Sequence, residues 1–86
     1  MFEIYFRKSA LSQYSKLSQP TQKRIKKVLT QLANDPFKIP FKKLINFENM
    51  LRVRIGSYKI IYSINKNSCI IEIIKIGKRE NVYEFK

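Results

Sequence analysis

Residues 51–62 read LRVRIGSYKIIY. Leu51, Val53 and Ile55 alternate with Arg52 and Arg54, a period of two that predicts a β-strand with one apolar and one cationic side. Gly56-Ser57 then suits a two-residue hairpin turn with glycine at its first central position. Such a turn implies one register: Ile55 opposite Tyr58, Arg54 opposite Lys59, Val53 opposite Ile60 and Arg52 opposite Ile61. The expected hairpin carries its large apolar side chains on one face and Arg52, Arg54 and Lys59 on the other. Along the strand the two arginines stand about 7 Å apart, and Lys59 faces Arg54 at a Cβ separation of about 5 Å. Like charges placed this way destabilise a sheet by roughly 0.2–1 kcal/mol per pair. On a solvated outer face the long side chains splay into water at little cost. In a phosphate cradle the same repulsion is relieved when an anion binds the guanidinium forks.

Downstream, residues 65–68 form a second turn. CIIEIIKI, residues 69–76, is apolar on both faces, as a central strand should be. Upstream, FEIYF at residues 2–6 predicts a short strand with Phe2, Ile4 and Phe6 on one face. Ser9 is the expected cap of a helix in which Ala10, Leu11, Tyr14 and Leu17 recur at helical spacing. Ser18 and Pro20 open a second helix with an apolar stripe of Ile25, Val28, Leu29 and Leu32. Its opposite face holds Lys23, Arg24, Lys26 and Lys27, either a solvated helix surface or a surface that tracks a nucleic-acid backbone. Asp35 before Pro36 ends that helix, because a residue preceding proline is pushed out of helical geometry. Residues 36–46, PFKIPFKKLIN, form an extended connector whose Lys42 and Lys43 face solvent or a ligand. After Gly77, Lys78 and Arg79, Val82 and Tyr83 are expected in a short extended segment. The predicted fold is α+β: an N-terminal strand, two helices, then a three-strand antiparallel meander. Together they form a four-strand sheet with the helices packed on one face, in a single domain over residues 1–86.

Eighteen Lys plus Arg against six Asp plus Glu give the 86 residues a net charge of +12 and a pI near 10.1. The 44% of apolar residues and 13% of aromatics suit a folded domain. A self-repelling balance of this size points to a polyanionic partner, nucleic acid first, an acidic protein second and a membrane surface third. The N-terminal apolar run is broken by Glu3 and ends at Arg7, too short for a secretory signal, so the expected location is the cytoplasm. Cys69 is the single cysteine, which excludes an internal disulfide, and its Ile-rich surroundings suggest a small core hydrophobe. Histidine is absent from the chain. No metal-ligand cluster, nucleotide loop or Ser/His/Asp set occurs, so neither metal nor other cofactor is expected.

The arrangement of strand, two helices and meander, with LRVRIGSYKIIY followed about fifteen residues later by IGKRENVY, resembles the RelE toxin family within the wider RelE/ParE group. The likeness covers nearly the whole chain. It implies a ribonuclease toxin that enters the ribosomal decoding site and cuts messenger RNA there. It also implies an inhibitory antitoxin, expected to be helical, in a toxin–antitoxin hetero-oligomer. By motif position the functional residues are Arg52, Arg54, Lys59, Arg79 and Tyr83, with Lys23, Lys27, Lys42, Lys43 and Lys78 as candidate RNA-binding cations. Arg52 and Arg54 stand where the best-studied members have Lys, and Lys59 where the family usually has Arg. Both exchanges keep charge and change donor geometry.

Metal-free RNA cleavage requires deprotonation of a 2′-hydroxyl, stabilisation of phosphorane charge and protonation of the departing 5′-oxygen. Cations supply the second, at roughly 3–4 kcal/mol per well-aimed donor. Lys59 beside Arg54 is one candidate to exchange a proton; an arginine is a poor one, because guanidinium stays protonated. Tyr83 is another, although only about one free tyrosine in a thousand is ionised at pH 7, so nearby cations must favour the phenolate. Tyr83 is equally suited to stack on a base or to sit in the core. Glu80 and Glu84 are further possible bases or surface ion-pair partners. Two other function classes remain: a ParE-like toxin that inhibits DNA gyrase by protein contact, and an RNA-binding module without catalysis. Arg79 and Tyr83 favour the nuclease, since neither alternative needs an acid or base beside its cations.

Overall fold

A computed structural model describes residues 1–38, 42–43 and 50–78. Its elements are β1 (Glu3–Phe6), α1 (Lys8–Ser15), α2 (Gln19–Asn34), β2 (Lys42–Lys43), β3 (Leu51–Ile55), β4 (Tyr58–Asn65) and β5 (Ile70–Lys78). The strands form one mixed sheet in the order β1-β5-β4-β3-β2, with β1 parallel to β5 and the other neighbours antiparallel. The four strands expected from the sequence are present. The connector adds a fifth, two residues long, in which Lys42 pairs with Arg52 and Lys43 with Leu51. An extended Lys-Lys pair passing the open edge of β3 satisfies backbone groups that would otherwise need water.

Both helices pack on one face of the sheet. Ala10, Ile25, Leu29 and Leu32 from the helices meet Leu51, Val53, Ile55, Ile60, Tyr62, Ile71, Ile73 and Ile76 from β3, β4 and β5 in one buried cluster. Phe2, Ile4, Phe6, Tyr14, Leu17, Val28 and Ile64 close its margin, so the predicted face of β1 and the α2 stripe both point inward. Leu11 does not: it is 52% exposed on α1, whose eight residues are too few to bury more than a narrow stripe. Nor does Ser9 cap α1. The cap position is Arg7, with extended backbone and no side-chain hydrogen bond, and Ser9 lies inside the helix.

Tertiary bonds compensate for that weak start. Tyr14 Oη donates to the Gln22 carbonyl at 3.2 Å while Gln22 Nε2 donates to the Tyr14 carbonyl at 2.8 Å, clasping α1 to α2. Ser18 caps α2 as expected, its Oγ accepting from the Thr21 N–H at 3.4 Å. At the other end Asp35 is extended, with φ −157° and ψ 94°, as the following proline requires.

The β3–β4 hairpin has the predicted register at all four positions, and Leu51 pairs further along with Tyr62. Gly56 has φ +60° and Ser57 has no positive φ, which is the turn type with glycine first. The β4–β5 turn occupies residues 66–69, one step beyond the expected 65–68. Asn65 Oδ1 organises it by accepting from the N–H groups of Asn67 (3.0 Å) and Ser68 (3.1 Å). Cys69 therefore ends the turn, exposed and left-handed at φ 56°, and is not a core residue. The Ile-rich run begins only after the chain has turned.

β5 runs between β1 and β4 as the central strand predicted. Its ladder to β4 slips by one residue: Ile61 pairs with Lys75, but Tyr62 pairs with Ile73, leaving Ile74 as the extra residue of a β-bulge. Gln13 Oε1 on α1 accepts from the backbone N–H of Ile76 at 2.8 Å, tying the helix layer to β5 just past the bulge.

Candidate functional site

The face of the sheet opposite the helices is where the alternation of β3 directs Arg52 and Arg54. The register extends that face into rows across three strands. One row is Arg52, Ile61 and Lys75; the next is Arg54, Lys59 and Gly77. With strands about 4.8 Å apart, Arg52 and Lys75 stand about 10 Å from each other across Ile61, and the second row is about 7 Å further along. Arg52 and Lys75 thus flank Ile61, with Arg54 and Lys59 in the next row toward the hairpin; on the other side of Ile61, past the bulge, the outer-face row is Ser63 and Glu72. Gly77 adds no side chain beside Lys59.

Ile61 is fully buried and Ile74 is 4% exposed, yet neither belongs to the helix-side cluster. This corrects the expectation that the hairpin's large apolar side chains share one face. Ile61 is paired with Arg52, and its alternation with Ile60 and Tyr62 sends it outward. The consequence is electrostatic. Arg52, Lys59 and Lys75 are half-buried around an apolar floor, where charges interact more strongly than in open water. Arg54 is exposed at the rim. The arrangement gathers positive charge over a buried apolar layer on the outer side of the sheet.

The other sequence candidates are distributed differently. Lys78 pairs with Tyr58 on the helix side of the sheet, and its Nζ lies 5.2 Å from the Tyr58 ring centroid, a cation–π contact. It is not part of the outer-face rows. Lys23 and Lys27 are exposed on α2 at helical positions opposite Ile25 and Leu29, so the helix layer and the sheet separate them from Arg52 and Lys59. The backbone of Lys42 is beside Arg52 through β2. Arg79, Tyr83, Glu80 and Glu84 lie outside the described residues, as do the side chains of Lys42 and Lys43. The last described residue, Lys78, brings the chain to the hairpin end of the sheet, beside Tyr58.

Sequence reasoning missed Lys75 and the Ile61–Ile74 floor. The signal was the Ile73-Ile74 doublet, which breaks a period of two and is what a bulge looks like in sequence. Among the described residues no cluster of three or more His, Cys, Asp or Glu has the arrangement to hold a metal.

A family model described as the ParE toxin of the type II toxin-antitoxin system parDE matches residues 4–83. The chain belongs to the RelE/ParE superfamily of toxins. The toxin is 27% identical over 81 residues to a RelE-like toxin protein of Escherichia coli, covering 92% of this chain and 84% of that one. It is 29% identical over 86 residues to a RelE-named toxin of Methanocaldococcus jannaschii, covering 96% of each. Among solved structures, the match to the intact E. coli RelBE toxin–antitoxin complex has a TM-score of 0.80 at 21% identity and covers 93% of this toxin and 99% of that chain. The archaeal RelE–RelB complex of Pyrococcus horikoshii gives 0.78 at 24% identity, covering 92% and 96%. At these identities the structural likeness shows a shared fold.

Proposed function

We propose that this toxin is a metal-independent endoribonuclease that cuts messenger RNA in the ribosomal decoding site, acts in the cytoplasm and is held inactive by a cognate antitoxin. The observation that carries the reading is the group of Arg52, Arg54, Lys59 and Lys75 on two adjacent rows of the outer sheet face. Cations gathered on one sheet face supply what the pentacoordinate phosphorane of RNA cleavage needs: donors where negative charge develops. Arg52 and Arg54 supply forked donors, and Lys59 and Lys75 supply point charges. Arg79 and Tyr83 complete the proposal by motif position, Tyr83 as the candidate proton-transfer group or as a base-stacking surface. Lys42 and Lys43, paired with β3, are assigned to RNA contacts beside the site, and Lys23, Lys27 and Lys78, which stand away from the outer-face rows, to contacts further along the RNA. The RelB-bound structures of the relatives support an antitoxin partner, and a +12 surface suits one of acidic character.

A second reading has its own support, because the matching family description is that of ParE. In that reading the toxin inhibits DNA gyrase by protein contact and leaves messages intact. One experiment separates the two. Wild type and an Arg79→Ala, Tyr83→Phe double variant are expressed, message 5′ ends are mapped, and gyrase supercoiling is assayed. The nuclease reading expects codon-phased cuts that vanish in the variant. Growth arrest with intact message and inhibited gyrase would sink it. Within the nuclease reading, Arg54→Ala or Lys59→Ala is expected to slow cleavage by about 10²–10³-fold, the cost of one oxyanion donor.

A further inference from the structure

Gly56 has a close neighbour from the helix layer. A Cβ built on it would stand 2.7 Å from Arg24 Nη2, 3.3 Å from Cζ and 3.4 Å from Nη1, so the Arg24 guanidinium lies against the backbone of the hairpin turn. Arg24 comes from the flank of α2, between the inward Ile25 and Val28 positions and the outward Lys23 and Lys27. It is exposed, and no hydrogen bond or ion pair to a described residue occupies its donors. Arg54 is only two residues before Gly56, about 7 Å back along β3. At this turn a side chain of the helix layer comes close to the hairpin that carries the cationic sheet face.

We propose that Arg24 is a phosphate-binding residue that carries the RNA path from the outer sheet face, past the hairpin tip, toward α2. The ligand class is the phosphodiester backbone of single-stranded RNA, contacted beyond the nucleotides held over Ile61. Three observations converge on it. The guanidinium stands close to the backbone of the hairpin turn, two residues beyond Arg54. Its five donors point at no described partner. Its neighbours toward the sheet, Arg54 and Lys59, and along the helix, Lys23 and Lys27, are all cationic, so a polyanion crossing the tip meets no acidic residue of these segments. The inference rests on the nucleic-acid reading of the sheet face.

The test measures affinity for a 2′-O-methyl single-stranded oligoribonucleotide, which cannot be cleaved through its 2′ position, as a function of salt. Each phosphate neutralised on a single strand contributes about 0.7 to the slope of log affinity against log salt. Arg24→Gln is expected to reduce the slope by about 0.7, while Arg24→Lys keeps it, and thermal melts of both variants confirm folding. Arg54→Ala serves as the reference for the sheet face. If Arg54→Ala lowers the slope and Arg24→Gln does not, the Arg24 contact is overturned and the sheet-face reading stands. If neither changes the slope, both fall.

Discussion

Tyr62 stands fully buried on the helix side of β4, and its hydroxyl has no hydrogen-bond partner among the described residues. A buried hydroxyl without a partner forfeits its hydration, at a cost of about 1–3 kcal/mol. Tyr62→Phe is therefore expected to leave stability unchanged or raise it by about 1 kcal/mol, read as a higher urea midpoint at constant m-value. Burial also pushes the phenol up to about 12 from the ordinary 10.0. Between those two values the unfolded chain releases the proton and the folded chain retains it. Stability contributed by the neutral phenol is complete below pH 10 and is lost as pH rises toward 12, by about 1.4 kcal/mol per pH unit. The wild type should lose stability faster than Tyr62→Phe across that window, and equal losses would contradict the burial of the hydroxyl. The exposed Arg7–Glu72 pair, at 3.3 Å, is a different case. Solvent screens it, and Arg7→Ala should cost less than about 1 kcal/mol.

At the scale of elements, the β3–β4 hairpin was the most legible part of the chain. A strict alternation and a glycine-led turn leave one register, and the structure has it. Gly56→Ala meets a positive φ that side chains disfavour, while the Arg24 guanidinium 2.7 Å from the added Cβ, the end of a flexible exposed side chain, can move aside. It is expected to lower stability by about 1 kcal/mol or more, measured by thermal or urea melting. The Ser18 cap was equally readable, and Ser18→Ala should cost about 1 kcal/mol. By contrast, the start of α1 was not. Its position depends on Gln13 reaching Ile76 and on the Tyr14–Gln22 clasp, contacts between residues far apart in sequence or in different elements. A local capping rule applied to Ser9 has no access to them. Cys69 was misplaced for a related reason: four turn residues were needed after Asn65 to close the β4–β5 hairpin, and composition alone favoured an earlier strand start.

At the scale of the molecule, the +12 charge acts in two opposite directions. Repulsion among the cations opposes the compact state, and added salt screens it over a Debye length that falls from about 30 Å at 0.01 M to about 3 Å at 1 M. The melting temperature of the isolated toxin should therefore rise with sodium chloride over the range in which its RNA affinity falls. A melting temperature that falls with salt would mean that attractive ion pairs outweigh the repulsion. The sequence by itself determined the order of the elements, the hairpin register and the cationic side of β3, because each follows from a period of two or three to four residues and from turn chemistry acting locally. The Ile73-Ile74 doublet hints at a bulge, but the tertiary structure alone decided how β5 slips past β4 there, that Ile61 and Ile74 are buried away from the helix-side core on the side of Arg52, Lys59 and Lys75, and that Arg24 lies close to the hairpin tip. Those features depend on how strands slip past one another and on how a helix lies against a turn, and neither is encoded within any one segment.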